Sequence, residues 1–232
     1  DLLTLSSGDI IFLCDQDDIW HLDKIAQMLA IMDAHPDVNV LASLVEEFHD
    51  DGSPVAFQDF PQIRFGSEGD FVAPTLSPML MNILRLGCTF CVRESFVKKI
   101  LPYWRDERFS HDEVLWRYAA VDGSLGLFEK SFVRWRRTGT NASHAIGGRS
   151  RDERIASTET LLAFRDAIHL FLDDYPNSTS EKTVKSYFDW VEARLSLLNR
   201  DGWFLNLLRI MRHLGFYSRK RTFLADLACS LT

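Results

Sequence analysis

Apolar and polar positions follow two rhythms along this chain of 232 residues. Up to Arg137 short apolar runs alternate with stretches of helical period, and beyond Gly147-Gly148 only the helical period remains. Ile10-Ile11-Phe12-Leu13-Cys14 is a continuous β-branched and aromatic run ended by acids, which predicts a fully buried strand whose C-terminal edge meets a site. A helix is expected directly after it. Ile19, Leu22, Ile25, Leu29 and Met32 recur at helical spacing, Asp18 stands where a cap belongs, and Pro36 stops the run. Val38 to Phe48 reads as a strand, Asp50-Asp51-Gly52 as a turn, and Ser53 to Pro78 as loop-rich. Gly87 to Val92 reads as a further strand, Glu94 to Leu101 and Asp112 to Val121 as helices, and Leu125 to Arg137 as a strand pair or one long bent strand. Helices are then expected at Ile155 to Leu172, Val184 to Leu198, Phe204 to Leu214 and Phe223 to Leu231, with a break at Tyr175-Pro176-Asn177-Ser178. The expected fold class is therefore α/β with a largely parallel or mixed sheet over residues 1–148, and a helical C-terminal region over 149–232 packed on it.

Composition narrows the class without naming it. At 46% hydrophobic and 25% charged residues the chain carries enough apolar material for a sizeable core. A formal net charge of -7 argues against nucleic acid as the main partner, which would demand a basic surface. The most apolar stretch, Trp203 to Met211, is broken by Arg209, so no membrane-spanning helix is expected. Few cysteines and no signal-peptide pattern point to a reducing, cytoplasmic compartment. The start on Asp1, in a short polar lead, reads as the interior of a longer protein.

The densest chemistry lies where the first strand ends. Asp15-Gln16-Asp17-Asp18 puts three carboxylates within four residues, and in extended geometry Asp15 and Asp17 point to the same side. Like charges at that spacing repel, and they are most easily tolerated around a hard divalent cation shared with a substrate phosphate. The plainer alternative is a helix cap with solvated neighbours.

The string Gly8-Asp9-Ile10-Ile11-Phe12-Leu13-Cys14-Asp15-Gln16-Asp17-Asp18-Ile19-Trp20, followed by Lys24-Ile25, resembles the DXD region of family 2 glycosyltransferases of bacterial surface-polysaccharide assembly, including the rhamnosyltransferase-like branch. Shorter matches follow in the same order: Gly87-Cys88-Thr89, His111-Asp112, Arg136-Arg137-Thr138-Gly139-Thr140-Asn141, and the tail Phe216-Tyr217-Ser218-Arg219-Lys220-Arg221 with Asp226. The resemblance implies a GT-A fold, a nucleotide-diphosphate sugar donor, a glycan or lipid-linked acceptor, and a divalent metal, Mn or Mg. It assigns the metal to Asp17 and Asp15, with Asp17 the direct ligand and Asp15 orienting the donor. Donor and diphosphate contacts fall on Asp15, Gln16, Asp17, Asp18, Trp20, Lys24, Arg136 and Arg137, and the acceptor side on Gly87, Cys88, Thr89 and His111. Asp112 matches the carboxylate that deprotonates the acceptor hydroxyl in inverting members. Ser110-His111-Asp112-Glu113 is also a capping box, and the two readings are compatible.

The chain departs from the family in two places. Thr138 stands where a histidine is usual, with His144 a few residues on, and the stretch that holds the nucleotide base in the family does not precede the DXD strand. Weak or no transfer by this stretch alone is therefore expected.

Other features have competing readings. Cys88 and Cys91 could form half a zinc or redox site but read better as buried thiols. Trp104, Trp116 and Trp135 suit either sugar stacking or a core, and Arg134, Arg136 and Arg137 either a diphosphate or solvent. Arg209, Arg212, Arg219, Lys220 and Arg221 lie among Trp203, Phe204, Leu207, Leu208, Phe216 and Tyr217, a pattern that suits either packing or peripheral contact with the anionic cytoplasmic face of the inner membrane. The rival functions are a haloacid-dehalogenase-like phosphohydrolase built on Asp15 and Asp17, and a non-catalytic transferase-derived domain that binds a partner or membrane.

Overall fold

The structure is a computed structural model and describes residues 2–53, 63–104, 109–137, 150–217 and 219–231. The chain divides into two compact units. The first is Asp1–Thr75 with Leu84–Pro102 and Phe109–Ile146, and the second is Leu76–Ile83 with Tyr103–Arg108 and Gly147–Thr232.

The first unit is mixed α/β. Its elements are α1 (Leu2–Leu5), β1 (Ile10–Phe12), β2 (Ile19–Trp20), α2 (Lys24–Ala34), β3 (Val40–Phe48), β4 (Phe71–Val72), β5 (Phe90–Arg93), α4 (Glu94–Ile100), α5 (His111–Asp122) and β6 (Leu125–Arg136); α3 (Pro78–Asn82) belongs to the second unit. The strands run in the order β1-β5-β3-β6-β2, and β4 also pairs with β6. Only β3 and β6 are parallel and every other pairing is antiparallel, so the sheet is mixed. Because β3 fills one side of β6 along its length, the short β2 and β4 share the other.

Adjacent residues of β5 divide the core between the two faces of the sheet. Cys91 packs with Met28 and Met32 of α2 and with Leu41, Phe128 and Phe132, while the Phe90 ring stacks on Trp116 of α5 at 6.2 Å. Trp116 and Trp135 are thereby core residues and Trp104 is half-buried; Cys88 and Cys91 are buried free thiols, as the strand context suggested. The long bent strand predicted to Arg137 is a single strand, β6, with register shifts opposite Ala42 to Val45. Helix α5 stops at Gly123, whose φ of 80° suits a residue without a side chain.

Three local expectations are corrected. The Ile10–Cys14 run forms a strand only to Phe12, and its residues are half-buried because β1 is the end strand of the sheet. The helix expected from Ile19 starts at Lys24. Ile19 and Trp20 pair instead with Arg134 and Val133, and the His21 N–H donates to the Phe132 carbonyl at 2.9 Å, so the open edge of β6 captures these residues before a helical turn can form. The buried face of α2 is consequently Lys24, Met28 and Met32, while Leu22 and Ile25 are exposed. The strand expected from Gly87 begins with a 3₁₀ turn, Gly87–Thr89, because the Thr89 N–H and hydroxyl both donate back to the Leu86 carbonyl.

The second unit is helical. It comprises α3, α6 (Arg151–Ala163), α7 (Arg165–Asp174), α8 (Ser178–Leu198), α9 (Trp203–Arg212) and α10 (Lys220–Leu231). The helix expected over Ile155 to Leu172 is two, divided at Phe164. No helix among the described residues is long and apolar enough to cross a membrane. The charge at the centre is Asp226 on α10, fully buried. It accepts hydrogen bonds from Arg194 of α8 at 2.6 and 3.2 Å, from Arg154 of α6 at 2.9 Å and from the Tyr217 hydroxyl at 3.0 Å. Burial and the adjoining Asp226 carboxylate push the Tyr217 hydroxyl far above the ordinary range, so it remains a donor. Asp226→Ala leaves two buried guanidinium groups without their anion, and a loss of about 3–5 kcal/mol is expected. Chemical denaturation of the variant checks this, and Asp226→Asn should lose less because it keeps an acceptor oxygen.

Candidate functional site at the end of strand β1

The acidic segment is a turn. After Phe12 the chain stays beside β5 through the Leu13 N–H bond to the Phe90 carbonyl at 3.1 Å, then reverses so that the Asp18 N–H faces the Asp15 carbonyl at 3.5 Å. In such a turn the first and fourth residues converge while the second and third point away. The carboxylates of Asp15 and Asp18, with the Cys88 thiol, offer ligand atoms within 4.8 Å of one another. Asp17 is not in this group, since the extended geometry that would set it beside Asp15 is replaced by the turn. Gln16 is exposed at the tip.

Arg136 holds the far side of the turn. Its N–H donates to Asp18 Oδ1 at 3.1 Å, its Nε donates to the Asp17 carbonyl at 2.7 Å, and its guanidinium also pairs with Asp50. The second oxygen of Asp18 is buried without a nitrogen or oxygen donor among the described residues. Arg137 is turned elsewhere, with its guanidinium over the Trp135 ring at 4.4 Å and 3.6 Å from Glu47. Arg134 is exposed and lies over Phe48.

Behind the turn stands Lys24, the first residue of α2. It is fully buried, its Nζ donates to the Cys88 carbonyl at 2.7 Å and lies 3.6 Å from the centre of the Trp20 ring. Burial brings its pKa down to about 8. A cation so enclosed supports the site from inside, and Trp20, whose ring covers it, is half-buried. The Gly87, Cys88 and Thr89 side of the site is likewise buried, with the Cys88 thiol pushed far up by burial and by the nearby Asp18 and Asp15 charges.

The N-terminus of α5 closes the other side. Glu113 accepts from the Ser110 N–H at 3.4 Å, and Asp112 Oδ1 accepts from the Glu113 N–H at 3.0 Å, so the helix cap is present. His111 is exposed and Asp112 half-exposed. Gly87 lies directly beneath them, since a side chain there would stand 2.7 Å from His111 Nε2 and 3.2 Å from Asp112 Cβ. Both residues lie close enough to Asp15 to act on its charge. Desolvation raises the Asp15 carboxyl most; His111 opposes the rise, while the Asp17 and Asp112 charges add to it. Asp18 is raised as well, chiefly by burial, against the Cys88 and Arg136 hydrogen bonds. The fold thus gathers Asp15, Asp17, Asp18, Cys88, Gly87, His111, Asp112 and Arg136. Thr138, Gly139, Thr140, Asn141 and His144 lie outside the described residues.

Two members of this group were not legible as partners. That Asp18 rather than Asp17 faces Asp15 follows from the turn, and its signal was the polar pair Gln16-Asp17 at the centre of a four-residue reversal. The Cys88 thiol reaches the acids only through the pairing of β5 with β1, which no local pattern announces. Asp173 and Asp174, the acidic pair weighed for a phosphohydrolase, end α7 in the second unit, where Asp174 accepts from the Tyr103 hydroxyl.

No family model matches the chain, and no curated protein matches it in sequence. Among solved structures, 94% of this chain aligns with 70% of the chain in the crystal structure of S. aureus TarS 1-349, at a TM-score of 0.45 and 14% identity.

Two outcomes follow from this geometry. A carboxyl whose folded pKa is raised holds its proton more tightly in the folded protein, so its ionisation costs stability as pH rises through the folded value. In chelator-treated protein Asp15→Asn should therefore raise the melting temperature at neutral pH, with the gap to wild type closing as pH falls below about 4. Gly87→Ala should displace His111 and cost about 1–3 kcal/mol through overpacking. Thermal melts and the histidine resonances in NMR spectra check both.

Proposed function

We propose that this chain is the metal-assisted part of a glycosyltransferase of GT-A type, which moves a sugar from a nucleotide-diphosphate donor to a hydroxyl of a glycan or lipid-linked acceptor. The observation that carries this reading is the meeting of the β1-end acids with the α5 N-terminus. The Asp15 carboxyl feels the charges of both His111 and Asp112, residues far away in sequence that the family resemblance separately assigns to the same reaction.

The residues fit a hard divalent cation. Asp15 and Asp18 present converging carboxylates whose proton affinity is raised chiefly by burial and further by neighbouring acids, and one Asp18 oxygen has no nitrogen or oxygen donor among the described residues. A neutral, buried Cys88 thiol adds little for Mn or Mg, which favour oxygen. Asp15 and Asp18 are therefore the residues that would hold the ion, with Asp17 at the rim of the turn. When bound, such an ion offsets the negative charge that grows on a departing diphosphate.

Asp112 supplies the base. Its carboxylate sits at the positive end of α5, held by the Glu113 N–H, with part of its surface open to solvent. It takes the proton of the acceptor hydroxyl as that oxygen bonds to the anomeric carbon, and the bond from that carbon to the diphosphate breaks with its electron pair leaving on the nucleotide. His111 and Gly87 fix the approach: a side chain at 87 would collide with the imidazole. Arg136 holds the turn that carries the acids, and Lys24 holds the Cys88 carbonyl beneath it.

The test separates binding from chemistry. Asp18→Asn should abolish calorimetric Mn binding, whereas Asp112→Asn should leave it unchanged. In Mn-dependent release of nucleoside diphosphate from a panel of nucleotide sugars by the full-length protein, Asp112→Asn should fall by about 10²–10⁴-fold. Retained turnover in Asp112→Asn removes it from the base role, and a wild-type chain without Mn affinity overturns the metal-assisted reading.

A further inference from the structure

The outward face of α9 is unlike that of an ordinary packing helix. Its buried side carries Asn206 and Ile210, whereas Phe204, Leu205, Leu208 and Met211 are 65%, 69%, 41% and 54% exposed. At helical spacing these four fall on one face centred on Leu208, so the broad apolar stripe meets solvent. Leu214, just beyond the helix, is exposed as well.

Helix α10 follows, packed on α8 and α6 and joined to α9 by a side-chain hydrogen bond. The Leu214–Phe216 turn leads from the end of α9 towards its start, and the Trp203 indole N–H donates to Ser230 Oγ at 2.9 Å, tying the beginning of α9 to its end. Its exposed positions include Lys220, Arg221, Leu224 and Leu231, which share one helical face. On α9, Arg212 is exposed within the apolar face, and Arg209 at its border reaches Asn206 and Glu192.

The charge of this segment is opposite to that of the molecule. From Gly202 to Leu231 the cations are Arg209, Arg212, Arg219, Lys220 and Arg221; the one acid, Asp226, is consumed by internal ion pairs, in a chain of net charge -7. An apolar stripe bearing long cationic side chains suits one occupant. Phe, Leu and Met enter the boundary of the acyl chains while arginine and lysine stems reach back to the lipid phosphates. A second copy would oppose like charge to like.

We infer that α9, with the exposed face of α10, docks on an anionic lipid bilayer and lies in the plane of its surface. The inference stands on the second unit and does not rest on the transferase reading.

Co-sedimentation of the whole chain with phospholipid vesicles tests it. The chain should pellet with phosphatidylcholine vesicles containing about 30% phosphatidylglycerol and not with phosphatidylcholine alone. Each of Arg212→Gln, Lys220→Gln and Arg221→Gln should weaken binding about five-fold, and raising NaCl from about 0.05 to about 0.5 M should release the protein. Phe204→Ser with Leu208→Ser should abolish pelleting. Circular dichroism controls for folding, and the glutamine variants, which replace exposed residues, carry the test should the serine pair unfold. Absence of pelleting with anionic vesicles, or equal pelleting with neutral ones, overturns the inference. So does a dimer in light scattering that Leu208→Ser dissociates, for the stripe then belongs to a second copy.

Discussion

The Lys24 ammonium, enclosed by protein and donating to the Cys88 carbonyl at 2.7 Å, is the interaction on which the acidic site depends. It joins the first turn of α2 to the 3₁₀ turn before β5, and the indole of Trp20 covers it from a third direction. A buried cation is costly unless it is both hydrogen-bonded and set against negative charge. Here the carbonyl supplies the first and the Asp18 carboxylate contributes to the second, while burial still brings the lysine pKa down to about 8. The acids of the turn are destabilised by one another. Cation behind and acids in front therefore form one electrostatic unit, and the backbone of Gly87–Thr89 is caught between them.

That unit explains why glycine stands at 87. The turn held by Lys24 presses its first residue against His111 and the Asp112 side chain, and no side chain fits in the gap. A contact of backbone with the start of α5 thus brings a helix terminus and a strand terminus to one place, though the residues are remote in sequence. The capping of α5 by Glu113 and the partial exposure of Asp112 are compatible because the cap uses backbone N–H groups.

Elements whose burial is periodic were legible in the sequence. Helix α5 and strand β6 fall close to where their patterns put them, and helix α8 ends where expected although it begins earlier, at Ser178. The segment from Ile19 to Leu22 was not, since its apolar spacing imitates a helix while the free edge of β6 offers hydrogen bonds to an extended chain. The acids were recognisable as a cluster, and Asp112 as a candidate by resemblance. Which acids face one another was not, because the choice between Asp17 and Asp18 is made by a single reversal of the backbone. The burial of Lys24 was not legible either, because the helix it begins was expected to have begun earlier, with a different face inward.

The pairing of Asp226 with Arg154 and Arg194 also has a temporal side. The two cations precede their anion by 72 and 32 positions. As the chain leaves the ribosome, α6 and α8 are complete while α10 is still inside the exit tunnel, and a guanidinium without its partner disfavours the dry interface that these helices finally share. Closure of the helical unit is thereby deferred until α10 has emerged, so the burial of these charges waits on a helix made after both of its partners.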